Sequence, residues 1–287
     1  MPTTIEDVIQ AMEEWKDSDL LRYHKKTVTY STKSEEVCSI IFGNPYLIEQ
    51  FEECFEVGQD GTFKTTPEPF KQVYVHMFKI GKQYKPAFVT LMMRKAKKAY
   101  LPTFLCIYDE LAPKFNGSEV HQDSEVASHK ATKEVMMTIT RKEPSRDLSK
   151  CKCKMCFFHH TSNIIANLKN HGLIKKYYKS PAFRQWARKL MLICFLPADN
   201  IAPTYETYFK PTTFPWYNDL DQRKVEKFKK YYEHQWLGNT DKEFMSLFKV
   251  ETITTNPNER YNKTINAKFD GAHPNLWEFL SEINELL

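Results

Sequence analysis

The sequence predicts an α/β protein in which a mixed sheet is followed by a long helical stretch. Two observations lead there. Strand-length apolar runs with period-two alternation crowd between about 54 and 123, and residues 161–250 carry helical periodicity with no convincing strand. A chain of 287 residues, 41% hydrophobic and 14% aromatic, can bury a large core as one big domain or two ordinary ones.

Residues 1–47 hold a helical pattern from Ile5 to Arg22, a polar segment and a short apolar run from Cys38 to Phe42, with no legible function. In the first clear strand, Phe55 and Val57 alternate with Glu56 and Gly58. Asp60-Gly61 is a strong turn signal, so Asp60 is expected where the strand stops. A carboxylate there is held by the sheet and open to solvent, which suits a metal ligand; a plain hairpin turn is the alternative. A second strand, Gln72–Ile80, a turn at Gly81–Gln83 and a third strand, Ala87–Met93, complete an antiparallel meander. A helix from Ala99 to Leu111 follows, closed by Pro113 and Gly117, then a fourth strand over Ser118–Asp123 and a helix from Ser124 to about Ile139. That order is the ribonuclease H-like plan. In it the first and fourth strands lie side by side, which would bring Asp60 and Asp123 together.

Carboxylate oxygens suit Mg²⁺ or Mn²⁺, and a pair of such ions about 4 Å apart serves phosphodiester displacement. The plain alternative for Asp123 is a helix N-cap, and Glu125 is a candidate supporting group or substitute ligand. With only 8 glycines and no Gly-x-Gly-x-x-Gly or Walker string, a nucleotide-dependent enzyme is disfavoured. The net charge of +5 is bunched at Arg94–Lys98, Lys175-Lys176 and Arg223–Lys230, beside aromatics such as Tyr177, Tyr178, Tyr231 and Tyr232. Such runs suit a phosphate backbone or serve as solvated helix faces. No secretory signal and no membrane span are expected. Seven cysteines, an odd number with three crowded into 151–156, point to a reducing compartment, cytosol or nucleus.

Five strings in order carry a resemblance. Asp60-Gly61-Thr62-Phe63 and the residues to His76 resemble the opening block of Mutator-like (MULE) transposases. Gln122–Ala127 resembles the family's Asp-Phe-Glu block, and Cys156-Phe157-Phe158-His159 its Cys-x-x-His. Tyr231–Gly238 is similar to its Tyr-Phe…Trp-Ile-Gly, and Thr254–Ile265 with His273–Leu280 resembles the block that carries a third acid. The likeness runs from about 48 to 287. It implies a DDE-type core with Asp60, Asp123 and Glu259 as catalytic, metal-binding triad, a helical insertion at about 161–250, Mg²⁺ or Mn²⁺ as cofactor, and DNA (transposon ends or derived sites) as partner. A nuclear location and a homo-oligomer are expected with it. Glu259 heads a helix from Asn258 to Ala267; alone, it reads as an acid favoured in a first turn by the helix dipole.

Within Cys151–His160, cysteine and histidine spacing suits zinc, with Cys156 and His159 the candidates; a core Cys/His pair is the alternative. Trp236 reads as core, with stacking on a base as the alternative, and Trp277 and Phe279 as seals of the terminal helix. Ser124 replaces the family's aromatic residue and Pro257 precedes the third acid. No FLYWCH-type zinc finger is recognisable, so a trimmed copy is expected, with a catalytically inactive DNA- or protein-binding derivative as the alternative function. A zinc-stabilised adaptor built around 151–160 is a third.

Overall fold

The computed structural model describes residues 7–8, 10, 24–31, 36–214, 217–269, 271 and 273–287. Two compact units emerge, one formed by Met1–Lys152 with Thr255–Leu287 and the other by Cys153–Thr254. Of the helix expected over Ile5–Arg22, Asp7, Val8 and Gln10 are helical, and the rest lies outside the described residues.

The first unit is α/β and follows the ribonuclease H-like plan. Its strands are β1 (His24–Ser31), β2 (Glu36–Gly43), β3 (Glu56–Thr62), β4 (Gln72–Ile80), β5 (Gln83–Met92) and β6 (Glu119–Gln122); β7 (Lys152–Met155) starts at the unit boundary, with Cys153–Met155 in the second unit. They form one sheet in the order β1-β2-β5-β4-β3-β6-β7. Pairings β1/β2, β2/β5, β5/β4 and β4/β3 are antiparallel, and β3/β6 is parallel. Gly81, with φ +58°, takes the left-handed conformation needed to reverse the chain between β4 and β5. β1 falls in a stretch the sequence reads as merely polar, and pairing along β2 makes it a strand.

β4 is buried on both faces, as a central strand must be. On one face Val73, Val75 and Met77 join Ile40, Phe42, Val89 and Leu91 beneath α10 (Asn256–Ala267) and α11 (Leu276–Leu286), through Ile265, Phe279, Leu280 and Ile283. The other face is aromatic. Tyr74, His76 and Phe88 pack with Phe51 of α1 (Pro45–Glu52), with Tyr100 and Phe104 of α2 (Lys97–Leu105) and with Tyr108. After α2 a π-helical turn, Cys106–Leu111, widens the helix. Its end carbonyls are met by the buried Arg146, which donates to Tyr108, Ala112 and Phe115. Helix α3 (Val126–Lys142) closes this layer.

The second unit is helical, as expected. It holds α4 (Phe157–Asn170), α5 (Ile174–Lys179), α6 (Pro181–Leu192), α7 (Ala198–Thr204), α8 (Asp219–Tyr232) and α9 (Lys242–Met245). Its core joins Phe183, Trp186, Tyr205, Phe228, Tyr232 and Trp236. Trp236 is buried and meets His160 edge-on at 4.4 Å, so it packs and does not stand open for a base.

Candidate metal centre

Asp60 does not end its strand. It is the fifth residue of β3 and pairs with Val75, and the chain runs two residues further before leaving the sheet. Asp60-Gly61 is therefore no hairpin turn; cross-strand pairing with β4 overrides the local turn preference. What places the carboxylate is the parallel register of β3 on β6, which ends at Gln59 opposite Gln122. One residue on, Asp60, still within β3, and Asp123, just past the end of β6, stand side by side, and their carboxylate oxygens lie within 4.8 Å of each other. Asp60 is buried and Asp123 half-buried.

The register is locked from the opposite face. Gln59 and Gln122 point away from the aspartates, since side chains alternate along a strand. The Gln122 amide donates to Gln59 and, at 2.7 Å, to Thr132 of α3, while Gln59 donates to the Tyr108 hydroxyl. A slip of one residue would break every one of these bonds and turn the aspartates to the wrong side.

Helix α10 covers the aspartate face through a ladder of asparagines. Asn258 donates to the Gly58 carbonyl at 3.0 Å, Asn262 to Asp60 Oδ2 at 2.9 Å, and Asn266 to Thr62 Oγ1 at 3.4 Å. Four helical residues rise about 6 Å and two strand residues about 6.6 Å, so a helix reading every fourth residue keeps step with a strand reading every second. Gly58 permits the close approach, because a Cβ there would stand 2.2 Å from Asn258 Oδ1.

Glu259 lies in the first turn of α10, with Pro257 two residues before it at a position where the missing N–H costs nothing. It is one residue, about 100° around the helix, from Asn258. The stripe facing β3 is thus asparagine. Among the described residues, Glu259 does not share one close group of donor atoms with both Asp60 and Asp123. The signal for the ladder was available: three asparagines, poor helix formers, spaced four apart on one helix.

Glu125 precedes α3 and accepts from the Tyr100 hydroxyl at 3.0 Å, with Lys95 at 3.7 Å. Burial raises its carboxyl pKa, against the pull of Lys95. Asp123 accepts from the backbone and hydroxyl of Ser124 but does not cap α3, whose N-cap position is Glu125.

Another donor group, Glu56, Glu119 and His121, stands further down the same strands. There Lys79 meets Glu56 at 3.1 Å and the Tyr84 hydroxyl also donates to it, which makes an internal ion-pair network. In the helical unit, Cys156 and His159, three apart at the start of α4, bring a sulfur and a ring nitrogen within 4.8 Å. That is two donors of the four that structural zinc needs, and no third from the described residues of that unit joins them.

The basic runs have mixed fates. Lys97 pairs with Glu134, Lys176 with Asp221, and Lys229 is buried with its amine on the carbonyls of Lys210 and Thr212. On the α2/α3 surface, Lys97, Lys130, Lys133 and Arg141 line a groove of about 400 Å³ with Glu134 and Met137. No helix of the described residues is long and apolar enough to cross a membrane. Comparison with family models, with curated proteins and with solved structures finds no match for this chain.

Proposed function

We propose that the chain is a DDE-type, Mutator-like transposase derivative that cleaves and transfers DNA strands with Mg²⁺ or Mn²⁺ held at Asp60 and Asp123, in the nucleus. One observation carries the reading. The β3/β6 register brings two carboxylates that are distant in sequence within 4.8 Å on a ribonuclease H-like sheet. The donors fit the ions: hard carboxylate oxygens, with Asn262 bonded to Asp60 through Nδ2 and its buried Oδ1 accepting no hydrogen bond. When bound, such ions supply charge stabilisation and activation of water or a 3′-hydroxyl. The chain's own contribution is to hold the two carboxylates at a fixed separation, with Asn262 setting the orientation of Asp60. The groove of Lys97, Lys130, Lys133 and Arg141 offers a phosphate backbone a cationic surface.

The test is a nicking assay on supercoiled DNA with Mg²⁺ or Mn²⁺. Wild type is expected to nick and Asp60→Asn to lose at least about a hundredfold, in line with removal of a transition-state charge stabiliser. Equal rates would reject the catalytic reading. A second reading, a derivative that binds DNA without cutting it, is favoured by a different observation: α10 turns an amide, not an acid, toward Asp60. It predicts salt-sensitive DNA binding with no nicking by either protein.

A further inference from the structure

We infer that Asn262 is the third oxygen ligand of the Asp60/Asp123 centre, making it a two-carboxylate, one-amide site of lower charge than a three-acid site. The inference rests on the metal reading above. Three observations lead to it. Asn262 is the residue of α10 that bonds a carboxylate of the pair, its Nδ2 donating to Asp60 Oδ2 at 2.9 Å. Only 6% of it is exposed, and its Oδ1 is buried and accepts no hydrogen bond. A buried acceptor left without a donor is costly, and a cation shared with the neighbouring carboxylates would satisfy it. The reverse amide orientation would set Oδ1 against the Asp60 carboxylate, an arrangement that also calls for a cation. Finally, the ladder fixes where Asn262 stands: Asn258 and Asn266 clamp α10 to Gly58 and Thr62 on either side.

An amide oxygen is a good ligand for a hard cation but brings no charge, and affinity at such sites follows ligand charge. Asn262→Asp should therefore tighten divalent binding, and Asn262→Ala should weaken it. The readout is Mn²⁺ itself, titrated by electron paramagnetic resonance into the full chain, with the thermal midpoint recorded with and without Mn²⁺. Expected are about tenfold tighter binding for Asn262→Asp and about tenfold weaker for Asn262→Ala, since ligand charge tunes such sites and even groups that only support the ligands are worth about ten- to a hundredfold. Asn262→Asp should also melt lower without the ion, because a third carboxylate then crowds two others, and regain that loss when Mn²⁺ is added. Asn262→Ala should cost more affinity than Glu259→Gln.

If wild type binds Mn²⁺, Asp60→Asn abolishes it, and both Asn262 variants bind like wild type, the amide is no ligand and the inference fails alone. A larger loss from Glu259→Gln than from Asn262→Ala overturns it in favour of the acid. If wild type binds no Mn²⁺ at the Asp60 pair, the metal reading falls and takes the inference with it. Because the Asp variant keeps a polar side chain able to face β3, a folding defect confined to Asn262→Ala leaves the test decisive.

Discussion

His76 lies at the centre of β4 in a cage of Tyr74, Phe88, Phe104 and Tyr108, fully buried and with both ring nitrogens unpartnered. Burial pushes its pKa from 6.5 down to about 3. The unfolded chain takes up a proton on this residue below pH 6.5 and the folded chain does not, so its contribution is fully present at neutral pH and is lost as pH falls from 6.5 toward 3. Between pH 7 and pH 5 the loss is about 2 kcal/mol, from 1.4 kcal/mol per pH unit below 6.5. His76→Phe, which keeps the ring, should flatten that part of the pH dependence; urea midpoints at the two pH values measure it, and an unchanged slope would refute the assignment. At the same scale, burial raises the thiols of Cys54 and Cys194 to about 12, which makes them poor nucleophiles.

Between elements, the decisive contact is α10 on β3. A glycine inside a strand ordinarily weakens it relative to alanine, by about 0.5–1 kcal/mol. Gly58→Ala should nevertheless destabilise, by about 1–3 kcal/mol, because the new methyl meets an Asn258 side chain that is itself clamped to Gly58 and Val75 carbonyls. Chemical denaturation reads the sign directly, and a stabilised variant would mean that α10 does not sit this close. The same substitution should shift the Asn262 amide and so weaken Mn²⁺ binding. Much of the element layer was legible: β4 has the bounds its apolar run gives, and α3 begins within two residues of expectation. The end of β3 was not, because Asp60-Gly61 has the local chemistry of a turn while its pairing partners in β4 lie more than ten residues away.

For the whole molecule, the proposed partner is a polyanion, and the prediction is electrostatic. DNA affinity should fall steeply with salt, and Lys130→Ala with Arg141→Ala should reduce the slope of log affinity against log salt by about 2, one for each lost phosphate contact. A filter-binding or anisotropy series over salt concentration measures it. A slope unchanged in the double variant would remove the α2/α3 groove from the interface.

The order of elements from β3 to α3, the helical character of residues 161–250 and the two aspartates at the first and fourth core strands were determined by the sequence itself, because hydrophobic periodicity and turn chemistry are local properties. Which residue of α10 meets Asp60 was decided only in three dimensions. It depends on the rotation of one helix over one strand, set by Gly58, by the asparagine ladder and by a glutamine pair on the opposite face, and no stretch of chain contains those partners together.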